Sequence, residues 1–203
     1  MDLIALNKIA EAMVAPGRGI LAADESSGTI KKRFDAIGVE STEANRRDYR
    51  EMLFRSKEGM SHISGVILYD ETIWQDAADG TPLVKLIELA GARGDIVTKG
   101  LDGLSKRLPK YYERGARFAK WRAVIDPTGG RPSYAGLIAN AHGLARYANL
   151  CQANKIVPIV EPEVLMDGDN DIDTTYAVTE WVLKETFQQL YYMNVALEGI
   201  VLK

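Results

Sequence analysis

Along the chain, short runs of β-branched and apolar residues alternate with longer stretches whose apolar positions recur every three or four residues. The first pattern suits a buried strand and the second an amphipathic helix. Strands are predicted at 19–23, 63–69, 118–124, 156–160 and 195–202, and helices at 3–14, 42–57, 133–154 and 174–192. Pro16-Gly17 stops the opening helix, and Ser41 reads as the N-cap of 42–57, whose charged face carries Glu43, Arg46, Arg47, Arg50 and Glu51. Val178, Trp181, Val182, Phe187 and Leu190 supply the apolar positions of 174–192, and Tyr191-Tyr192 reads as helix-end packing.

Strands alternating with helices indicate an α/β fold with a parallel sheet. No stretch is rich enough in Pro, Gly or Ser to divide the chain, so residues 1–203 read as a single domain. Two architectures fit this alternation. A dinucleotide-binding sheet needs a glycine-rich turn after its first strand, and here that turn is the acidic Asp24-Glu25-Ser26-Ser27-Gly28. Functional groups at the ends of several different strands are what a (β/α)8 TIM barrel produces. The barrel is therefore the predicted fold, incompletely represented: five strands are legible, in a chain shorter than the ~250 residues typical of that fold.

Charge sits where an ordinary core would not tolerate it. The run 195–202 ends in Lys203, Gly19-Ile20-Leu21-Ala22-Ala23 runs into Asp24, Phe118 to Val124 contains Lys120 and Arg122, and Ile156 to Val160 runs into Glu161-Pro162-Glu163. An unpaired buried charge costs several kcal/mol or is neutralised, so four such insertions point to one polar site where strand ends converge. Side chains alternate along a strand, so Lys120 and Arg122 share a face, as do Glu161 and Glu163. A lysine becomes a nucleophile when a neighbouring cation and partial desolvation favour its neutral form; Lys203 beside Lys120 supplies such a pair. Glu161 would then move protons during carbinolamine formation and dehydration, with Asp24 a second acid/base candidate. Arg122 suits a phosphate or carboxylate, or holds Glu161 in place. Taken singly, each residue has a plainer reading: structural ion pairs for Lys120 and Arg122, a helix cap for Asp24-Glu25-Ser26, a solvated end for Lys203.

With 203 residues, 46% hydrophobic, 26% charged and a formal charge of −3, the composition is that of a soluble globular chain and not of a general nucleic-acid coat. One cysteine, Cys151, excludes an internal disulfide, and two histidines, His62 and His142, leave little for a Cys/His metal site. No apolar run approaches the ~18 residues of a membrane span, and a reducing cytoplasm is the expected compartment. Asp167-Gly168-Asp169-Asn170-Asp171 imitates a calcium loop, but Ile172 and Val178 stand where an EF-hand needs Gly and Glu.

Several long segments, in order, resemble the class I (Schiff-base) fructose-1,6-bisphosphate aldolases. They are Ala15-Pro16-Gly17-Arg18-Gly19-Ile20-Leu21-Ala22-Ala23-Asp24-Glu25-Ser26, Ser64-Gly65-Val66-Ile67-Leu68, Gly100-Leu101-Asp102-Gly103-Leu104, Gly115-Ala116-Arg117-Phe118-Ala119-Lys120-Trp121-Arg122, Ala145-Arg146-Tyr147-Ala148, Val157-Pro158-Ile159-Val160-Glu161-Pro162-Glu163 and Leu197-Glu198-Gly199-Ile200-Val201-Leu202-Lys203. The resemblance implies a (β/α)8 barrel that reversibly splits fructose 1,6-bisphosphate into dihydroxyacetone phosphate and glyceraldehyde 3-phosphate. It implies that Lys203 forms the Schiff base, that Asp24, Glu161 and Lys120 handle protons and charge, and that Arg122, Ser26, Ser27, Arg33 and Glu163 belong to the substrate site. It further implies no metal or other cofactor, a sugar-phosphate substrate, and a homotetramer.

Two departures stand against the resemblance. The family has a strand carrying an active-site lysine between the segments matching Glu88-Leu89-Ala90-Gly91 and Gly100-Leu101-Asp102-Gly103. Here only Ala92 to Thr98 bridge that interval, too few residues, on this reading, for a strand and its return loop, and Lys99 is not a convincing replacement. The sequence also stops on what resembles the sixth strand, before the last two strands and their glycine-rich phosphate loop. The residues read best as parts of a longer protein, and a polypeptide of these residues alone is expected to be unstable and inactive. The rival functions are a non-catalytic aldolase-like remnant or binding scaffold and a different Schiff-base lyase or transaldolase on the same barrel.

Overall fold

Alternation within the strands builds two apolar layers. In the second strand Val66 and Leu68 belong to one buried cluster and Ile67 to another, as period-two side chains require. The computed structural model describes residues 2–89, 93–97, 100–128 and 132–203. Its elements are α1 (Leu3–Met13), β1 (Gly19–Ala23), α2 (Ser27–Asp35), α3 (Glu43–Phe54), α4 (Lys57–Ser61), β2 (Ile63–Leu68), α5 (Asp70–Ile73), α6 (Leu83–Leu89), β3 (Arg93–Val97), α7 (Leu104–Glu113), β4 (Phe118–Ile125), α8 (Tyr134–Ala153), β5 (Val157–Val164), α9 (Ile172–Tyr192), a 3-10 turn (Leu197–Gly199) and β6 (Val201–Leu202).

All six strands are parallel and lie in the order β1-β2-β3-β4-β5-β6. A doubly wound sheet reverses its strand order partway; this one never does, which is the winding of a (β/α) barrel, here incomplete. β4 and β5 pair from Phe118↔Val157 to Ile125↔Val164, whereas β6 adds only Ile159↔Val201 and Val160↔Leu202. One layer joins Ile67, Phe118, Val157 and Ile159 to Leu6, Ile9, Ala10 and Met13 of α1. The other packs Val66, Leu68, Ala119, Ala123 and Val160 against Phe54 of α3, Leu104 and Leu108 of α7, and Leu144, Tyr147 and Ala148 of α8. Each fully buried Leu, Ile, Val or Phe contributes about 1.5–3 kcal/mol.

Several expectations need correction. Residues 93–97 do form a strand: β3 lies between β2 and β4, with Gly65↔Arg93 through Leu68↔Ile96 on one side and Ile96↔Ala119 and Val97↔Lys120 on the other. Five residues at about 3.3 Å each are long enough, because a strand in this slot needs only its neighbours' backbone groups. Lys99 falls outside the described residues. The run 195–202 is strand only at Val201–Leu202, because residues 197–199 turn against α1. There a Cβ on Gly199 would meet the Leu6 side chain at 3.2 Å, and Asn7 Nδ2 donates to the Glu198 carbonyl at 3.1 Å. β5 runs on to Val164, so Glu161 and Glu163 lie within it. The cap of α3 is Thr42, whose hydroxyl accepts from the Asn45 N–H, and the helix ends at Phe54. Tyr191 and Tyr192 are exposed, their ring centroids 6.1 Å apart.

Candidate active site

The carboxyl ends of the strands open on a cleft of about 650 Å3 whose wall includes Asp24, Ser26, Arg33, Lys120, Arg122 and Lys203. Lys120 and Arg122 reach it together because they are two residues apart on β4. Lys203 is placed by the sheet: its N–H donates to the Val160 carbonyl at 2.9 Å, which sets the side chain beside Glu161. The predicted strand-end residues thus meet in one place.

Glu161 is the hub. Its side chain is 2% exposed, and its Oε1 accepts a hydrogen bond from Lys203 Nζ. Lys120 Nζ lies 3.5 Å from Glu161 Oε2 and 2.9 Å from Asp24 Oδ2. Arg122 Nε lies 3.7 Å from Glu161 Oε1 and 3.1 Å from Glu163 Oε2. Among the described residues, Glu161 Oε2 and Glu163 Oε2 nevertheless lack an aligned hydrogen-bond donor. One carboxylate therefore holds two lysines while keeping unused accepting capacity. Lys203 is the exposed member, its side chain 51% accessible at the cleft, whereas that of Lys120 is 8% accessible. An accessible amine with a carboxylate on its Nζ and a second carboxylate on the neighbouring lysine is equipped for carbonyl addition and proton transfer.

The end of β1 supplies the rest of the wall. Ser26 caps α2, its Oγ accepting from the Thr29 N–H at 3.4 Å and lying 3.1 Å from the Thr29 hydroxyl. Arg33, further along α2, pairs with Glu25, whose carboxylate is also reached by the Tyr49 hydroxyl at 3.4 Å. Ser27 opens α2 but is not part of the cleft wall, and Glu163 opens on an adjoining recess shared with Glu161 and Lys203. Sequence reasoning missed Glu25, Thr29, Gly100 and Trp121 as wall residues. Only the helical spacing of Thr29 from Ser26 and Arg33 hinted at any of them. The plainer readings hold in part: Ser26 does cap a helix, and Lys120 and Arg122 do make ion pairs. These roles coexist with the cleft, because the groups that pair also face it.

The acidic loop is committed elsewhere. Asp171 caps α9, and hydrogen bonds from Thr174 hold its carboxyl below the usual carboxylate range. His142 Nδ1 lies 3.1 Å from Gln189 Oε1. Among the described residues no group of three His, Cys, Asp or Glu side chains is arranged to hold a metal ion.

Comparison with known proteins bears on the whole chain. A family model described as fructose-bisphosphate aldolase class-I matches residues 5–203. A probable fructose-bisphosphate aldolase class 1 of Xanthomonas campestris pv. campestris is 52% identical over 219 positions, covering 100% of this chain and 66% of the relative. Fructose-bisphosphate aldolase 1 of Toxoplasma gondii is 53% identical over 212 positions, covering 96% of this chain and 58% of the relative. The solved aldolase of Plasmodium falciparum, in complex with TRAP and a small-molecule inhibitor, superposes with a TM-score of 0.94 at 43% identity, covering 98% of this chain and 63% of that one. The chain thus spans about two thirds or less of these relatives. The 219 aligned positions exceed its 203 residues, so the Xanthomonas protein also has residues inside the matched region that this chain lacks. On fold, strand-end site and family match together, the chain belongs to the class I fructose-bisphosphate aldolases.

Proposed function

We propose that this chain supplies the Schiff-base centre for reversible aldol cleavage of fructose 1,6-bisphosphate to dihydroxyacetone phosphate and glyceraldehyde 3-phosphate, a lyase step of glycolysis and gluconeogenesis. The observation that carries this reading is the exposed Lys203 amine hydrogen-bonded to buried Glu161, with Lys120 and Asp24 behind it. The Lys203 amine attacks the C2 ketone, and Glu161 moves the protons that turn the carbinolamine into an iminium. The iminium then withdraws electrons from C3. Removal of the C4 hydroxyl proton breaks the C3–C4 bond, releasing the aldehyde and leaving an enamine. Protonation and hydrolysis free the second triose phosphate and restore the amine. Asp24, Glu161 and Lys120 are the groups within reach for these transfers. The covalent iminium does the polarising that a metal ion does in other enzymes, so the proposed chemistry uses no metal or cofactor.

Arg122, Ser26 and Arg33, which line the cleft, are assigned to the sugar phosphate, with Glu163 holding Arg122 at 3.1 Å. Arg33 and the hydroxyl-lined start of α2 suit an anion. A cytoplasmic homotetramer completes the proposal, resting on family membership; no helix among the described residues is long and apolar enough to cross a membrane.

The test is an intact mass after incubation with fructose 1,6-bisphosphate and borohydride, beside an untreated control. A reduced triose-phosphate adduct mapped to Lys203 is the expected result. Folded protein without adduct would sink the catalytic reading and favour the scaffold. Relative turnover of fructose 1-phosphate then fixes how far the second phosphate is used.

A further inference from the structure

Helix α3 carries Arg46, Tyr49 and Arg50 at spacings of three and four, hence on one face. That face is not solvated. The Arg50 side chain is completely buried, an expensive place for a guanidinium, and desolvation pulls its pKa below the usual arginine value. Its Nη2 donates to the backbone carbonyl of Glu25 at 2.8 Å. Its Nη1 lies 3.7 Å from Glu71 Oε1, and its guanidinium carbon sits 6.0 Å from the Tyr69 ring centroid. Among the described residues, Nε and Nη1 find no hydrogen-bond partner.

Among the described residues, the one aligned bond of Arg50 is therefore to the peptide joining Glu25 to Ser26. That peptide follows Asp24, which faces Lys120, and precedes the Ser26 cap and the Arg33 arm. Tyr49 reaches the Glu25 carboxylate from the same face, while Arg46 binds Glu71 just beyond β2. α3 thus clamps the chain where β1 and β2 end.

We propose that Arg50 is a positioning residue for the aldol reaction: by holding the Glu25–Ser26 peptide it fixes where Asp24 meets Lys120 and where the Ser26–Arg33 arm stands. This rests on the aldolase reading above. A misplacement of about 1 Å at such a site costs up to ~100-fold in rate.

The experiment compares Arg50→Lys and Arg50→Met with Glu71→Gln in the protein at its full native length, reading kcat, KM, melting temperature and the borohydride adduct. Arg50→Met is expected to lose about 10- to 100-fold in kcat while the Lys203 adduct still forms, and Arg50→Lys to recover part of the loss. Glu71→Gln removes the charge beside Arg50 but not its carbonyl bond, and is expected to lower the melting temperature with kcat within about twofold of the parent. Parent-like kcat in both Arg50 variants overturns the proposal. So does a kcat loss in Glu71→Gln equal to that of Arg50→Met at matched stability, or failure of both Arg50 variants to fold, since each reduces Arg50 to a stability role. A parent protein that folds but forms no adduct overturns the aldolase reading itself, a different signature from an adduct with unaltered kcat.

Discussion

Two carboxylates close to strand ends, Glu161 on β5 and Glu71 just beyond β2, are both surrounded by cations and are used in opposite ways. Both oxygens of Glu71 are engaged by Arg46, at 2.9 and 2.6 Å, in the two-pronged geometry that guanidinium favours. Among the described residues, Glu161 bonds one lysine, lies within ion-pair distance of Lys120 and Arg122, and keeps Oε2 without an aligned donor. A saturated pair locks two elements together. An unsaturated one, opening on a recess beside the cleft, has capacity left for a reacting group. Charge and burial alone do not separate a structural ion pair from a catalytic one; the count of engaged lone pairs and access to the cleft do.

The sharpest break in this comparison is Lys203→Met. It should abolish the borohydride adduct and lower cleavage by at least about 10^4-fold, as removal of a nucleophile does. Intact mass and a coupled turnover assay read both.

Glu161→Gln keeps the shape and removes the charge. Cleavage should fall by about 10^2- to 10^4-fold, the usual range for a lost general acid or base. Stability should fall by about 1–3 kcal/mol because, among the described residues, Lys120 keeps only Asp24 as an ionised partner, measurable by urea titration.

On the structural side of the comparison, Glu71→Gln should cost about 1–2 kcal/mol in the same titration and leave the adduct intact. The Arg46 hydrogen bonds hold the Glu71 carboxyl below its ordinary value of 4.5. Its contribution is therefore complete above that value and disappears as pH falls through the lower, folded-state value. Urea midpoints from pH 6 downward should drop for the parent across this window, and less for Glu71→Gln. A parallel drop in both would remove Glu71 from the account.

The smallest effect is a control. Cys151 is fully buried, and burial pushes its thiol well above the ordinary range. It should react slowly with a thiol reagent in every folded variant and rapidly only on unfolding. Fast labelling of Lys203→Met would mean that its lost activity reports unfolding and not chemistry.

Much of this was legible in the residues, for identifiable reasons. The strand at 19–23 coincides with β1, and the helix expected at 133–154 is α8 at Tyr134–Ala153, capped by Ser133. Two-residue spacing put Lys120 and Arg122 together on the cleft. Helical period also found the charged face of α3, but not its surroundings: a stripe of Arg and Glu looks the same whether it meets water or two loops. Arg50, on that charged face, is core. β3 was missed because its existence depends on the vacancy between β2 and β4. The turn before β6 was missed because Gly199 packs closely against Gln152 and Leu6, residues distant in sequence.

By itself the sequence determined the alternation of strands and helices and the charges at strand ends, since these depend on local period and residue type, and its ordered segments carried the resemblance to the family. Tertiary structure alone decided that Glu161 holds Lys203 and faces Lys120, that Arg33 answers to Glu25, and that Arg50 is buried against the Glu25 carbonyl. Those outcomes depend on which strands become neighbours and in what register. Register is set by packing and by backbone pairing across the sheet, which no single segment contains.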